Sequence, residues 1–258
     1  MVQTAIQLFT LKNLDEPPWN LAELVGETAF DGVEFYDRQF DAFTLAGIVQ
    51  TTDALDEGNL GIAGAHIRIE RLESSFDEVV GICEHLGCNR LVVPTYEREA
   101  FESCEGIEAA ADRIAGVATE LDAYDIELSY HNHTFEFDEV DGEIAFETFV
   151  DHADGRFKFQ PDVGLATNAG YDPLQLLELV EGNAPVVHLT DTDPSEENRI
   201  HADLGTGVVD IDACAAAAAD GGAEWLVCEV GRPDDATASL EHGASAFANL
   251  RDELASQS

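Results

Sequence analysis

Positive charge is what this chain has least of. Its 258 residues hold twelve Lys and Arg against 53 Asp and Glu, the only lysines are Lys12 and Lys158, and the formal net charge is −41. A duplex nucleic-acid partner requires a basic face, so this balance argues against one. Long hydrophobic runs are also missing: none approaches the ~20 residues that a bilayer span needs. The opening stretch "MVQTAIQLFTLKN" has neither a basic n-region nor a cleavable apolar h-region. The expectation is a soluble, cytoplasmic chain without a membrane partner. Cysteine is sparse. The five thiols at 83, 88, 104, 214 and 228 form no CxxC pair, which predicts buried free thiols in a reducing compartment. No glycine-rich turn follows the first strand pattern, where "LFTLKNLDEPP" stands, so a doubly wound dinucleotide-binding sheet is disfavoured. "LGTGVVD" has no following Lys-Ser/Thr, so it is a turn framing a site and not a P-loop.

What is present is an ordinary core composition, 45% hydrophobic, in a chain whose length suits either one large domain or two small ones. The acids are spread along the whole length, which excludes a simple acidic tail. Self-repulsion of this size strains a domain, and concentrated salt relieves it by shortening the Debye length to ~3 Å at 1 M. In this respect the composition resembles proteins of salt-accumulating halophilic microbes.

Short apolar runs alternate with helical patterns. Strands are expected at 2–9, 31–36, 61–68, 90–93, 126–131, 156–160, 185–189 and 224–229. Helices are expected near 20–29, 42–57, 75–87, 105–124, 144–152, 173–181, 210–220 and 236–254, on i, i+3, i+4 spacing such as Phe76, Val79, Val80, Cys83. Ser75 and Asp172-Pro173 look like helix starts. Eight β-α units in this length predict an α/β fold, a (β/α)₈ TIM barrel forming a single domain over 1–258. There is no linker or low-complexity tract.

In such a barrel the chemistry gathers at the C-terminal strand ends. Strand five ends in "YHNHTFE", strand six in "FQPD", strand seven in "VVHLTD" and strand eight in "LVCE". Four successive strands thus end at Glu136, Asp162, His188 and Glu229. Three carboxylates and an imidazole brought to one axis call for a cation among them. Mn²⁺ is the first choice, with Mg²⁺, Co²⁺ or Zn²⁺ as alternatives. By the two-residue period of a strand, Val186, His188 and Thr190 share a face, as do Trp225, Val227 and Glu229. His131 and His133 share one too. Glu136 is off their parity, so the loop after the strand must bend it back. Glu34 and Arg38 after strand two, and His66 and Arg68 at strand three, are weaker candidates. Arg199, His201 and Arg232 fall in the last two loops, where barrels often bind phosphate. His85, His152 and His242 fall in helices and read as surface residues.

"YHNHTFEF", "PDVGLATNAGYDP", "VVHLTDTD", "LGTGVVDID" and "LVCEVG" together resemble the sugar phosphate isomerase/epimerase family, the xylose isomerase-like TIM barrels. The resemblance covers about residues 120–235, with "DGVEFYD" and the strand pattern upstream. It implies one divalent metal held by Glu136, Asp162, His188 and Glu229. Two departures stand out. The segment before Asp162 reads "FQP" where relatives commonly have an apolar residue and a leucine. The strand-five carboxylate also lies later than in the family's epimerases, which leaves Glu136 either a ligand or an acid/base, with His133 filling in.

The chemistry expected is proton abstraction α to a carbonyl, giving an enediolate and then an isomer or epimer of a sugar or keto-sugar, phosphorylated or not. Glu229 and Glu136 are the expected acid/base pair, with His133 as a further catalytic candidate. His66, His131, Arg199, His201 and Arg232 are the expected substrate contacts. Three alternatives stay open: a lyase or dehydratase on a keto-sugar or inosose, an endonuclease IV-like metallo-hydrolase, and a barrel that binds sugar without turnover. Whether the chain is a homo-oligomer is also open.

Overall fold

The computed structural model of the chain describes residues 2–195 and 200–257, with side chains up to 255. Eight parallel strands form its central sheet: β1 (Gln3–Gln7), β2 (Gly32–Tyr36), β3 (Gly61–His66), β4 (Arg90–Val93), β5 (Glu127–His131), β6 (Lys158–Gln160), β7 (Val186–His188) and β8 (Trp225–Cys228). Neighbours run β6-β5-β4-β3-β2-β1-β8-β7. The remaining seam is bridged where Asp162 pairs with His188 and the His188 N–H donates to the Pro161 carbonyl at 2.9 Å. The sheet thereby curls into the expected (β/α)₈ barrel.

The alternation of each strand sorts its side chains. Val33, Phe35, Leu91, Val93, Leu128, Tyr130, Phe159, Val187 and Leu226 belong to the large core between sheet and helices. A second, small cluster of Ala5, Ala63, Val186, Trp225 and Val227 fills the barrel floor. Trp225 is the plug. It fits because Gly32 and Gly61 lie against its ring: a Cβ on Gly32 would come within 2.7 Å of the indole. Apolar filling below leaves the upper barrel for polar side chains.

Helices follow the strands at the expected places, for instance Leu45–Gly58, Phe76–Leu86, Cys104–Leu121, Ala145–Ala153 and Ile211–Asp220. Asp172 caps its helix as expected, accepting from the Leu174 N–H at 2.9 Å. Ser75 makes no such side-chain bond. Two one-turn-scale helices, Ile69–Ser74 and Val163–Asn168, and a hairpin pairing Glu139–Val140 with Glu143–Ile144 go beyond the expected elements. They are too short for periodicity to reveal. All five cysteines are free, and four are buried. No helix among the described residues is long and apolar enough to cross a membrane.

Candidate metal centre and active site

Above the apolar floor lies a ring of inward polar side chains: Gln7 from β1, Glu34 from β2, His66 from β3, His131 from β5, Gln160 from β6 and His188 from β7. Each is under a tenth exposed. Glu34 is the hub. Its Oε2 accepts from Gln7 Nε2 and faces His188 Nε2, both at 2.7 Å, and His66 Nε2 at 3.2 Å. Its Oε1 accepts from Gln160 Nε2. Burial alone would push the Glu34 carboxyl up, but the imidazoles of His66 and His188 outweigh it and hold the group well below the usual carboxylate range. Gly64 stands beside Glu34 in the next strand, where a Cβ would approach Oε1 to 3.3 Å.

One tier higher, His131, Asp162, His188 and Glu229 each offer a ligand atom within 4.8 Å of the others, and all four are buried. Asp162 is pinned by one oxygen only. Oδ1 accepts from the Leu165 N–H at 2.7 Å and from the Thr190 hydroxyl, while Oδ2 is buried with no hydrogen-bond partner. His188 is pinned the same way. Its Nε2 is taken by Glu34, and its Nδ1 lies 3.2 Å from Glu229 Oε2 and 3.9 Å from Asp162 Oδ2 without forming an aligned hydrogen bond. Burial would lower the His188 pKa. The charges of Glu34 and Glu229 overcome that and raise it to about 10. Glu229 shows the converse: burial would raise it, and His188, His201 and His66 bring it down to about 2. His131 is held well below its ordinary value, first by burial and then by the rings of His188 and His66, so it is a neutral donor.

Orphaned buried atoms with two carboxylates and two imidazoles around them are costly unless a cation sits between. The donor set, two carboxylates and two imidazoles, therefore fits a divalent metal. A second, overlapping group of His66, His131 and His188 is close enough to chelate, but His66 Nε2 is already within 2.7 Å of the Gln160 carbonyl oxygen.

The rim carries the other expected residues. His133 lies edge-on to His131, with centroids 5.4 Å apart, and stacks on Phe135; its buried Nδ1 has no partner. Burial lowers its pKa, against the pull of Glu229 and Asp162. His201 Nδ1 accepts from the Gly231 N–H at 2.9 Å, so in the neutral ring Nε2 carries the proton, 3.7 Å from Asp162 Oδ2. The loop bearing His201 is ordered by Asp191, whose carboxylate accepts from the N–H groups of Gly205, Gly207 and Val209. A Cβ on Gly207 would come within 2.3 Å of Asp191 Oδ1, which explains the second glycine of "LGTGVVD"; the first, Gly205, takes a left-handed backbone at φ 80°. Arg232 is exposed, and Arg38 and Arg68 are too, the last paired with Asp37 at 3.2 Å. Arg199 lies outside the described residues. Of the helical histidines, His85 and His242 are exposed as expected, His242 bonding the Leu204 carbonyl, and His152 is half-buried beside Asp112.

Glu136 is the correction. The loop after strand five does fold back, but outward. Glu136 Oε1 accepts from the Tyr130 hydroxyl at 2.7 Å, and Oε2 accepts from the His133 N–H at 2.9 Å. Tyr130 faces the helix layer, against Phe101 and Phe149. Glu136 is thus buried on the far side of the strand from His131 and is absent from both groups of clustered ligand atoms. His131 stands where the strand-five carboxylate was expected. Gln7 and Gln160 join the site with no motif to announce them, and Glu34 is more central than its place after strand two suggests. Parity held a signal for two of them: Glu34 sits between outward Val33 and Phe35, and Gln160 shares parity with Asp162. Lys12 also joins the rim: its Nζ donates to the Gly231 carbonyl and lies over the Phe9 ring.

A family model described as a xylose isomerase-like TIM barrel matches residues 22–250. No curated protein sequence matches the chain. Among solved structures, a sugar phosphate isomerase/epimerase from Parabacteroides distasonis is similar with a TM-score of 0.78 at 17% identity, over 96% of this chain and 94% of that one. The probable 3-DHS dehydratase AsbF from Bacillus anthracis gives 0.80 at 10%, over 96% and 99%. The IolI protein with a bound zinc atom gives 0.74 at 12%, over 98% and 99%. At these identities the likeness is one of fold.

Proposed function

This chain belongs to the xylose isomerase-like TIM barrel family, and on that premise we propose that it is a divalent-metal-dependent isomerase or epimerase of a sugar or keto-sugar. The observation that carries the proposal is the buried cluster of His131, Asp162, His188 and Glu229, with Asp162 Oδ2 and His188 Nδ1 unpartnered inside it. These four residues would hold the metal. When bound, such a cation polarises a carbonyl and a neighbouring hydroxyl of the substrate.

The chain's own groups supply the proton handling. Glu229 is the cluster member nearest to opening, 9% exposed where Asp162 and His188 are fully closed. It is ionised, and it is our choice for the base that takes the proton α to the carbonyl. His133, whose buried Nδ1 at the rim has no partner, is our choice for the N–H that returns a proton to the resulting enediolate from the other side, with solvent restoring its proton and taking the one held by Glu229. His201, donating from Nε2, would orient a substrate oxygen. Lys12 and Arg232 give the mouth the little positive charge it has, suited to an anionic or hydroxyl-rich substrate. The metallo-hydrolase alternative has less support: the described residues show no larger ligand cluster, and the chain carries −41.

The test is a screen of ketoses, keto-sugars and inososes with Mn²⁺, Co²⁺, Mg²⁺ or Zn²⁺ added back to the metal-stripped protein. Metal-dependent conversion with solvent deuterium entering the carbon next to the carbonyl is the expected result. Loss of water from the product would move the reaction to the dehydratase class. Turnover that survives exhaustive chelation would refute the metal dependence.

A further inference from the structure

Whether a histidine can bind a cation depends on which nitrogen carries its proton, and in this barrel one carboxylate controls that choice. A carboxylate only accepts hydrogen bonds. Glu34 therefore orients every amide and imidazole around it. Gln7 is fixed because its carbonyl oxygen takes the Phe9 N–H at 3.1 Å, turning its NH₂ to Glu34. Gln160 is fixed because its NH₂ donates to Glu34 Oε1. Its carbonyl oxygen must then face the opposite way, toward His66 Nε2 at 2.7 Å and His131 Nδ1 at 3.2 Å. An amide oxygen also only accepts, so both of those nitrogens carry hydrogen. A hydrogen held on Nδ1 by the Gln160 oxygen leaves Nε2 as the nitrogen that His131 can offer. His188 donates from Nε2 to Glu34 directly, which turns Nδ1 toward Glu229 and Asp162.

We propose that Glu34, acting directly on His188 and through Gln160 on His131, is the positioning residue that decides which nitrogen of each ring is held back, so that His188 Nδ1 and His131 Nε2 are the nitrogens turned toward a cation. The inference rests on the reading of the cluster as a metal centre, and it gives a reason for "FQP": Gln160 is the amide that carries the polarity of Glu34 across the barrel to His131. Free histidine favours the Nε2–H form, so the Nδ1–H form of His131 needs such a partner.

The test uses a charge swap. In Glu34→Gln, the new amide cannot accept from Gln7, His188 and Gln160 together, because one of its ends is now a donor. Turning Gln160 over relieves that clash but points its NH₂ at His131 Nδ1, forcing the ring into the Nε2–H form. In the double variant Glu34→Gln/Gln160→Glu, the new carboxylate accepts from His66 and His131, and residue 34 accepts from His188 and donates to residue 160. Every donor and acceptor is restored with the charge moved. Gln160→Met removes the relay while leaving Glu34 in place.

The readouts are zinc affinity by chelator competition and the imidazole ¹⁵N shifts of His131 in the metal-free protein. Wild type should show His131 protonated on Nδ1. Glu34→Gln and Gln160→Met should show the Nε2–H form and bind zinc roughly 10–100-fold more weakly, the usual cost of losing a partner behind a metal ligand. The double variant should regain the Nδ1–H form and most of the affinity. If Glu34→Gln fails to fold, Gln160→Met and the double variant decide the matter. Wild-type zinc binding and an unchanged His131 in Gln160→Met would overturn the proposal, as would a double variant no better than Glu34→Gln. None of these measurements involves turnover. A protein inactive on every sugar would leave the inference intact, whereas a wild type that binds no zinc or other divalent ion would refute the metal reading and leave the tautomer assignment to the ¹⁵N spectrum.

Discussion

The Tyr130 hydroxyl donates to Glu136 Oε1 at 2.7 Å, and both groups are closed to solvent. Burial raises the Glu136 pKa to about 7, against the lowering effect of Tyr130 and of the His133 and Glu136 N–H groups. In the unfolded chain that proton leaves near the ordinary value of 4.5. Between these values the folded protein holds a proton that the unfolded one has lost, so this group's contribution to stability falls as pH rises from 4.5 to 7. Gln keeps both hydrogen bonds without the charge: its oxygen accepts from His133, and its NH₂ donates to Tyr130. Glu136→Gln should be more stable at pH 8 by on the order of 1–3 kcal/mol and no more stable at pH 4.5. Denaturant unfolding at the two pH values checks it.

Asp162 has two duties that substitution can separate. Oδ1 caps Val163–Asn168, and Oδ2 is the bare atom in the cluster. Asp162→Asn keeps the cap and removes the ligand, so it should lose the metal with stability changed by less than about 1 kcal/mol. Asp162→Ala should lose the metal and a further ~1 kcal/mol with the cap. Metal content by mass spectrometry beside thermal unfolding of the stripped proteins distinguishes the two effects.

Glu229→Gln retains size and one acceptor but cannot take a proton. Turnover should fall by ~10²-fold or more, and the exchange of solvent deuterium into substrate should fall with it while substrate still binds. Exchange at the wild-type rate would reassign the base to His133.

Salt should stabilise this protein. Several arginines are already paired, as in Arg251 with Asp31, Arg156 with Asp112 and Arg113 with Glu73, and twelve cations cannot offset 53 acids. Screening relieves the remaining repulsion, so the melting temperature should climb steeply toward molar KCl. A melting curve indifferent to salt would contradict the reading of the acidic surface.

The barrel was legible in the sequence because its signals are local. Alternation in "DGVEFY" and "LVCE", and helical spacing in "FDEVVGIC", report each element's buried face without reference to the rest of the chain. Strand parity likewise foretold that His188 and Glu229 point inward, since Val186 and Trp225 beneath them must reach the floor. The acidic surface, too, is a matter of composition alone.

Tertiary structure decided what parity does not govern. Once strand five ends, nothing local says whether the chain bends into the mouth or behind the sheet. Glu136 goes behind because a buried hydroxyl on Tyr130 and the open His133 N–H supply the bonds its carboxylate needs there. That leaves the strand-five place in the cluster to His131. Glu34 and Gln160 are 126 residues apart in sequence and unremarkable singly. They become one unit only when the sheet closes and desolvation obliges every polar atom inside it to find a partner of the opposite kind.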